Sequence, residues 1–279
     1  MVKNTIEIDG LRLTCTIAGD PSRPPIIFLH GITSHCDVWM RTIERLQGDF
    51  YCVAFDLPGF GNSDKPKEGD YSIAMQAKRV LMVADHFALD KFIVIGHSMG
   101  GQIATYLAAV LAPQRVAKLV SVSGVVTGEL SDIVQNFKML LIKWGWKVPA
   151  LFHLFRMLTT RKTIACMVFD HWFYKPADLP FESWAVDRSH AMNADIAHAT
   201  FKAWKSINAT NLTNDLEKLF IPVLVIFGER DGTVPVAQAH LFKERLPATQ
   251  LVLIKDCGHF PMYETFDEYI KPLQLFLMQ

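Results

Sequence analysis

The sequence predicts an α/β protein with a mostly parallel central sheet flanked by helices on both faces. Short apolar runs rich in Val, Ile and Phe recur along the chain and are apolar on both faces, as strands of a buried parallel sheet must be. Helical patterns lie between them, so strand and helix alternate. The 279 residues are 50% hydrophobic and 20% charged, enough apolar material for a large core and too much for intrinsic disorder.

In chain order, Thr5 to Ala18 alternates as a strand and carries Asp9-Gly10, the dipeptide of a tight hairpin turn, at its middle. This hairpin should add antiparallel strands at one edge. Ile26 to Leu29, Tyr51 to Phe55, Phe92 to Ile95, Lys118 to Val122, Pro222 to Phe227 and Gln250 to Ile254 read as the buried strands. Val38 to Leu46, Ser72 to Phe87, Gly101 to Leu111, Val236 to Leu246 and Thr265 to Leu277 space their apolar residues by three and four, as helices do.

Gly128 to Lys205 breaks this rhythm. It contains no strand-like run, and its helical pattern is interrupted at Pro149, Pro176 and Pro180. The segment holds Trp144, Trp146, Trp172, Trp184 and Trp204, leaving only one of the six tryptophans elsewhere. Placed after the sixth strand, it reads as an all-helical cap (128–205) inserted into a core formed by 1–127 and 206–279. Such a cap should lie over the carboxyl edge of the sheet, where sheets of this kind bind ligands.

Charge and cysteine content narrow the function. Lys plus Arg total 28 and Asp plus Glu total 28, so nothing favours nucleic acid or an anionic membrane as partner. The five cysteines lie apart with no CxxC pair, which suggests free thiols rather than a zinc site or disulfides. The stretch Phe92 to Ala112 lacks charged residues, but its Gly-His-Ser-Met-Gly-Gly centre makes a turn and not a membrane span. Nor does MVKNTIEIDG contain a signal-peptide core, so a soluble, cytoplasmic protein is expected. A homodimer is an allowed assembly that the sequence does not select.

Gly96-His97-Ser98-Met99-Gly100 has the G-x-S-x-G form, with a strand run entering it and a helical pattern leaving it. That turn strains the serine backbone and lifts the hydroxyl clear of the sheet, at a helix N-terminus that favours negative charge. A serine nucleophile needs a base and a group to hold that base. Two loops at later strand ends supply them: Gly228-Glu229-Arg230-Asp231-Gly232 and Asp256-Cys257-Gly258-His259. The order Ser98, Asp231, His259 follows, with Glu229 and Asp256 as rival carboxylates.

These motifs resemble those of α/β-hydrolase-fold serine hydrolases of the esterase and lipase kind. His30-Gly31, Asp56-Leu57-Pro58-Gly59-Phe60-Gly61, the Ser98 turn, the Asp231 loop and Gly258-His259 carry the resemblance, which covers nearly all the chain outside the cap. It implies Ser98 as nucleophile, His259 as general base and Asp231 as the group orienting it. The backbone N–H groups of Met99 and Ile32 then form the oxyanion hole. His35, Trp144 and Trp184 are candidate substrate contacts. His97 should pack beside the nucleophile, His30 should be structural, and the cap histidines lack metal-ligand spacing. No metal or cofactor is expected.

Departures from related families exclude other chemistries. Ser98 stands where similar dehalogenases and epoxide hydrolases carry an Asp nucleophile, and Ile32-Thr33 follows His-Gly where such epoxide hydrolases have Pro. A carboxylic ester hydrolase acting on a small apolar or aromatic ester is the resulting expectation. Hydrolysis of C–C bonds in vinylogous ketones and a slow-turnover small-molecule receptor are the alternatives.

Overall fold

In the computed structural model, which describes residues 1–138 and 148–279, the strands form one sheet. They are β1 (Val2–Ile8), β2 (Leu11–Ala18), β3 (Pro25–Leu29), β4 (Tyr51–Phe55), β5 (Phe92–His97), β6 (Val116–Val122), β7 (Val223–Gly228) and β8 (Gln250–Ile254). Their order across the sheet is β1-β2-β4-β3-β5-β6-β7-β8. Asp9 and Gly10 both take positive φ (55° and 69°), the geometry of a tight hairpin turn, and β1 pairs antiparallel with β2. The pair joins β4 antiparallel, whereas every later pairing is parallel.

The apolar runs divide their side chains between two cores. Ile27, Leu29, Val53, Phe55, Val94, Val225 and Phe227 face one, while Ile26, Phe28, Cys52, Ala54, Ile95, Leu224 and Ile226 face the other. Helices cover both. α1 (Met40–Leu46), α2 (Ile73–His86), α3 (Met99–Tyr106), α8 (Ala237–Arg245), α9 (Pro261–Glu264) and α10 (Phe266–Met278) belong to the strand–helix alternation. α2 shows how local chemistry sets an element. The Ser72 hydroxyl accepts a 3.2 Å hydrogen bond from the Met75 N–H, a cap worth about 1 kcal/mol. Ile73, Ala77, Val80 and Ala84 then recur at three- and four-residue spacing on the buried face.

Two expected helices are less uniform than their periodicity suggests. The first begins with a 3₁₀ turn, Cys36–Trp39, and the one after Ser98 starts at Met99 and widens into a π turn over Leu107–Leu111. Trp39, Leu107 and Ala108 stay buried through these changes, although Val110 is exposed, so apolar spacing alone does not reveal them.

Between β6 and β7 the described residues form no strand. α4 (Pro149–Leu158), α5 (Lys162–Val168), α6 (Ala185–Ala191) and α7 (Ala197–Ala209) occupy this stretch. Phe169, Trp172, Phe173 and Trp184 continue one core of the sheet upward, and Ala199, Ala203 and Ile207 of α7 join the other. Among the described residues, no helix is long and apolar enough to cross a membrane.

Candidate active site

β5 runs straight into Ser98, whose φ of 55° and ψ of −117° form the strained bend that precedes α3. Such a conformation costs a non-glycine residue on the order of 1–3 kcal/mol and persists only where its surroundings enforce it. Here they do. A Cβ on Gly96 would lie 2.2 Å from the Gly100 carbonyl oxygen, and one on Gly100 would lie 2.3 Å from that of Leu29. The Ser98 N–H donates to the Val122 carbonyl at 3.0 Å, and the Ser98 carbonyl accepts from Gln102 and Val125. The bend is thus sewn to β6 and to the helix it opens.

β7 and β8 deliver the other two groups. A Cβ on Gly228 would fall 2.1 Å from the Gly258 carbonyl oxygen, so the two loops pass back to back. Arg230 N–H donates to the Cys257 carbonyl at 2.9 Å and keeps them together. Asp231 Oδ1 accepts from the N–H groups of Thr233 (2.8 Å) and Val234 (2.9 Å), which aims Oδ2 at His259. Asp231 Oδ2 lies 2.8 Å from His259 Nδ1, with both side chains buried. An ionised carboxylate can only accept, so Nδ1 carries the proton and Nε2 is left as the basic nitrogen. Glu229 and Asp256, the rival carboxylates, are exposed.

Ser98 is linked to this pair through His97. The His97 Nε2–H donates to the His259 carbonyl at 2.8 Å, and the two imidazoles stand 4.6 Å apart. Burial, reinforced by the nearby His259, drives the His97 pKa well below its ordinary value, so the ring is neutral. A Cβ on Gly31 would come within 3.0 Å of Ser98 Cβ and 3.1 Å of His97 Nδ1. Ile32 follows at once, and Thr33 turns the chain with φ 63°. The segment carrying Ile32 therefore borders Ser98 and His97 together, while Met99 opens α3. His30 Nε2 accepts from Leu57 N–H at 2.9 Å, and burial pushes its pKa down to about 4.

The helical segment closes over these loops with its main chain. The Trp172 carbonyl accepts from His259 N–H at 2.8 Å, and the His171 carbonyl accepts from the Thr233 hydroxyl at 2.9 Å. Glu264 adds a tie that sequence reasoning missed. Its carboxylate accepts from the N–H groups of Tyr174 (2.8 Å), Gly258 (3.0 Å) and Phe260 (3.3 Å). Burial raises its pKa to about 6 against the pull of those amides. Only its position just after His259 hints at this in the sequence.

Of the candidate substrate contacts, Trp144 lies outside the described residues. Trp184 is wholly buried, with Phe173 at 5.1 Å, Phe181 at 5.6 Å and the Arg188 guanidinium 4.7 Å from its ring. Phe173 in turn packs on Phe260, beside His259, at 5.5 Å. His35 is buried, with Nε2 3.3 Å from Asp187 Oδ1. Among the described residues, no group of three or more His, Cys, Asp or Glu is placed to hold a metal ion.

Residues 24–266 match the family described as alpha/beta hydrolase fold. Lipase 3 of Moraxella sp. is 29% identical over 250 residues, covering 86% of this chain and 73% of that protein. The pimeloyl-[acyl-carrier protein] methyl ester esterase of Vibrio parahaemolyticus is 27% identical over 262 residues, covering 88% and 91%. The solved 2-hydroxy-6-oxo-6-phenylhexa-2,4-dienoate hydrolase of Rhodococcus superposes with a TM-score of 0.82 at 23% identity, covering 100% of this chain and 99% of that one.

Proposed function

Because the chain belongs to the alpha/beta hydrolase fold family, we propose that it is a serine hydrolase cleaving carboxylic esters of small apolar or aromatic substrates. The observation that carries this reading is the buried 2.8 Å contact of Asp231 with His259 Nδ1, which leaves Nε2 as the base on a segment tied through His97 to the strained Ser98. In the first half-reaction, Ser98 Oγ attacks the ester carbonyl and His259 Nε2 takes its proton. Asp231 stabilises the imidazolium that forms. The N–H groups of Met99 and Ile32 receive the oxyanion, each such donor being worth roughly a hundred- to a thousandfold in turnover. His259 then protonates the departing alkoxide, leaving an acyl group on Ser98. Water, activated by the same imidazole, attacks the acyl carbon, releasing the acid and returning the proton to Ser98.

The aromatic cluster running from Phe260 through Phe173 to Trp184 supports an apolar acyl or aryl group on this side of the base. The similarity to a lipase and to a methyl ester esterase points the same way. A graded p-nitrophenyl ester series, with a thioester and a ring-cleavage dienone alongside, tests the reading. A burst followed by steady ester turnover is expected. Dienone cleavage with inert esters would move the assignment to C–C hydrolysis. A single slow turnover with a large ligand-induced rise in melting temperature would move it to a receptor.

A further inference from the structure

A carboxylate of the helical segment is buried where two active-site segments meet. Asp187, on α6, is 2% exposed. Its Oδ2 accepts a 2.8 Å hydrogen bond from the Tyr263 hydroxyl. Its Oδ1 lies 3.3 Å from His35 Nε2 and accepts a long 3.4 Å hydrogen bond from the Ser34 hydroxyl. All of these partners lie outside the helical segment. Ser34 and His35 follow β3 on the stretch that carries Ile32, and Tyr263 lies on α9 just after His259. One side chain thus contacts both the segment that carries Ile32 and the segment that follows His259.

Each grip leads on to the reacting groups. Ser34 N–H donates to the Gly31 carbonyl at 3.3 Å, and Gly31 is the residue pressed against Ser98 Cβ. Tyr263 stacks on Phe260 at 5.8 Å and 18°, and Phe260 packs edge-on against His259 at 5.3 Å. Placing a carboxylate out of water is unfavourable unless its lone pairs are met and its charge is balanced. Tyr263 and Ser34 meet the lone pairs. Burial presses the His35 imidazole towards neutrality, but its contacts with Asp187 and the charges of Asp56 and Asp37 outweigh that and raise its pKa. Stacked 4.6 Å away, His190 has its pKa lowered by burial and then by His35, so His35 is the ring that takes the proton. A carboxylate serving only the fold of the helical segment would find its partners there; this one finds them on the catalytic loops.

We propose that Asp187 is a positioning residue: seated with the cap, it holds the Ile32 segment and the His259 segment at the spacing the reaction needs. The proposal rests on the serine-hydrolase reading above. Lifting α6 would release both segments together and let the oxyanion donors drift from the attack geometry. Displacements of about 1 Å at such a site cost up to about a hundredfold in rate.

Asp187→Asn, which keeps the shape and one acceptor, tests this alongside Tyr263→Phe and the double variant. For Asp187→Asn, kcat on a p-nitrophenyl ester should fall by roughly ten- to a hundredfold with KM within about threefold. The melting temperature should stay within a few degrees of the parent. Tyr263→Phe should lose less, and the double variant should be no worse than Asp187→Asn, because the two groups act through one contact. An unchanged kcat with a lowered melting temperature would make Asp187 structural and overturn the proposal; a loss confined to KM would make it a substrate contact and overturn it equally. Stoichiometric labelling of the parent by a fluorophosphonate separates this failure from that of the hydrolase reading. A parent that neither labels nor turns over esters overturns both.

Discussion

The sheet and the helical segment above it share their apolar cores but differ in how they meet the loops that carry Asp231 and His259. In the sheet, parallel ladders run from Pro25 to Ile254, and side chains such as Phe28, Val94 and Leu224 are wholly buried in cores on both faces. The helical segment leaves Leu154, Met157 and Met167 about half exposed or more, and joins the catalytic loops through individual contacts. These are the carbonyls of His171 and Trp172, the Tyr174 N–H and the Asp187 carboxylate. Strand ends therefore place Ser98, Asp231 and His259, while shared apolar packing and a few polar contacts place what lies over them. Chemistry and substrate choice should accordingly answer to different substitutions.

The largest effect is expected at a strand end. Asp231→Asn should lower turnover by up to about ten-thousandfold by presenting the wrong imidazole tautomer. Its melting temperature should hardly move, and the exposed Asp256 changed to Asn should leave kcat intact. Equal losses in the two variants would remove Asp231 from its role. Next comes the frame itself. Gly100→Ala would push a Cβ to 2.3 Å from the Leu29 carbonyl oxygen, with backbone on both sides unable to yield. Urea titration should show a loss of about 3 kcal/mol, the upper end of what core overpacking typically costs. A near-neutral result would mean the Ser98 bend tolerates more movement than its contacts imply.

The helical segment should respond differently. Trp184→Ala removes a wholly buried indole and should cost about 3 kcal/mol. Fluorophosphonate labelling should persist, and preference along an ester chain-length series should broaden. Loss of labelling would erase the distinction between the two regions. The smallest effect lies at their seam. Glu264 is raised from 4.5 to about 6, so the folded protein holds that proton more tightly than the unfolded chain does. Stability should therefore fall by about 1–2 kcal/mol as pH rises through that window, and Glu264→Gln should flatten the slope. Denaturant midpoints across pH 4 to 7 read this directly; a slope that survives in Glu264→Gln belongs to another group.

The same division governs what the sequence reveals. The Asp9-Gly10 turn, the buried strands and the Ser98 bend are legible because each depends on residues adjacent in the chain. The contact between Asp231 and His259 is legible because both sit at the ends of recognisable strands, where short loops leave little freedom. Asp187 and Glu264 are not, since a carboxylate becomes a tie only through partners such as Tyr263 and Gly258 that no local pattern brings near. The π turn after Tyr106 escapes for a related reason, because it preserves the apolar spacing by which a helix is recognised.

Covalent trapping bears most directly on the central claim that Ser98 is a nucleophile served by His259. After exposure to a fluorophosphonate, peptide mapping by mass spectrometry should find one adduct per chain, on Ser98. The adduct should be absent from Ser98→Ala and form far more slowly in His259→Ala. Full labelling of Ser98→Ala, or an adduct on any other side chain, would contradict the assignment.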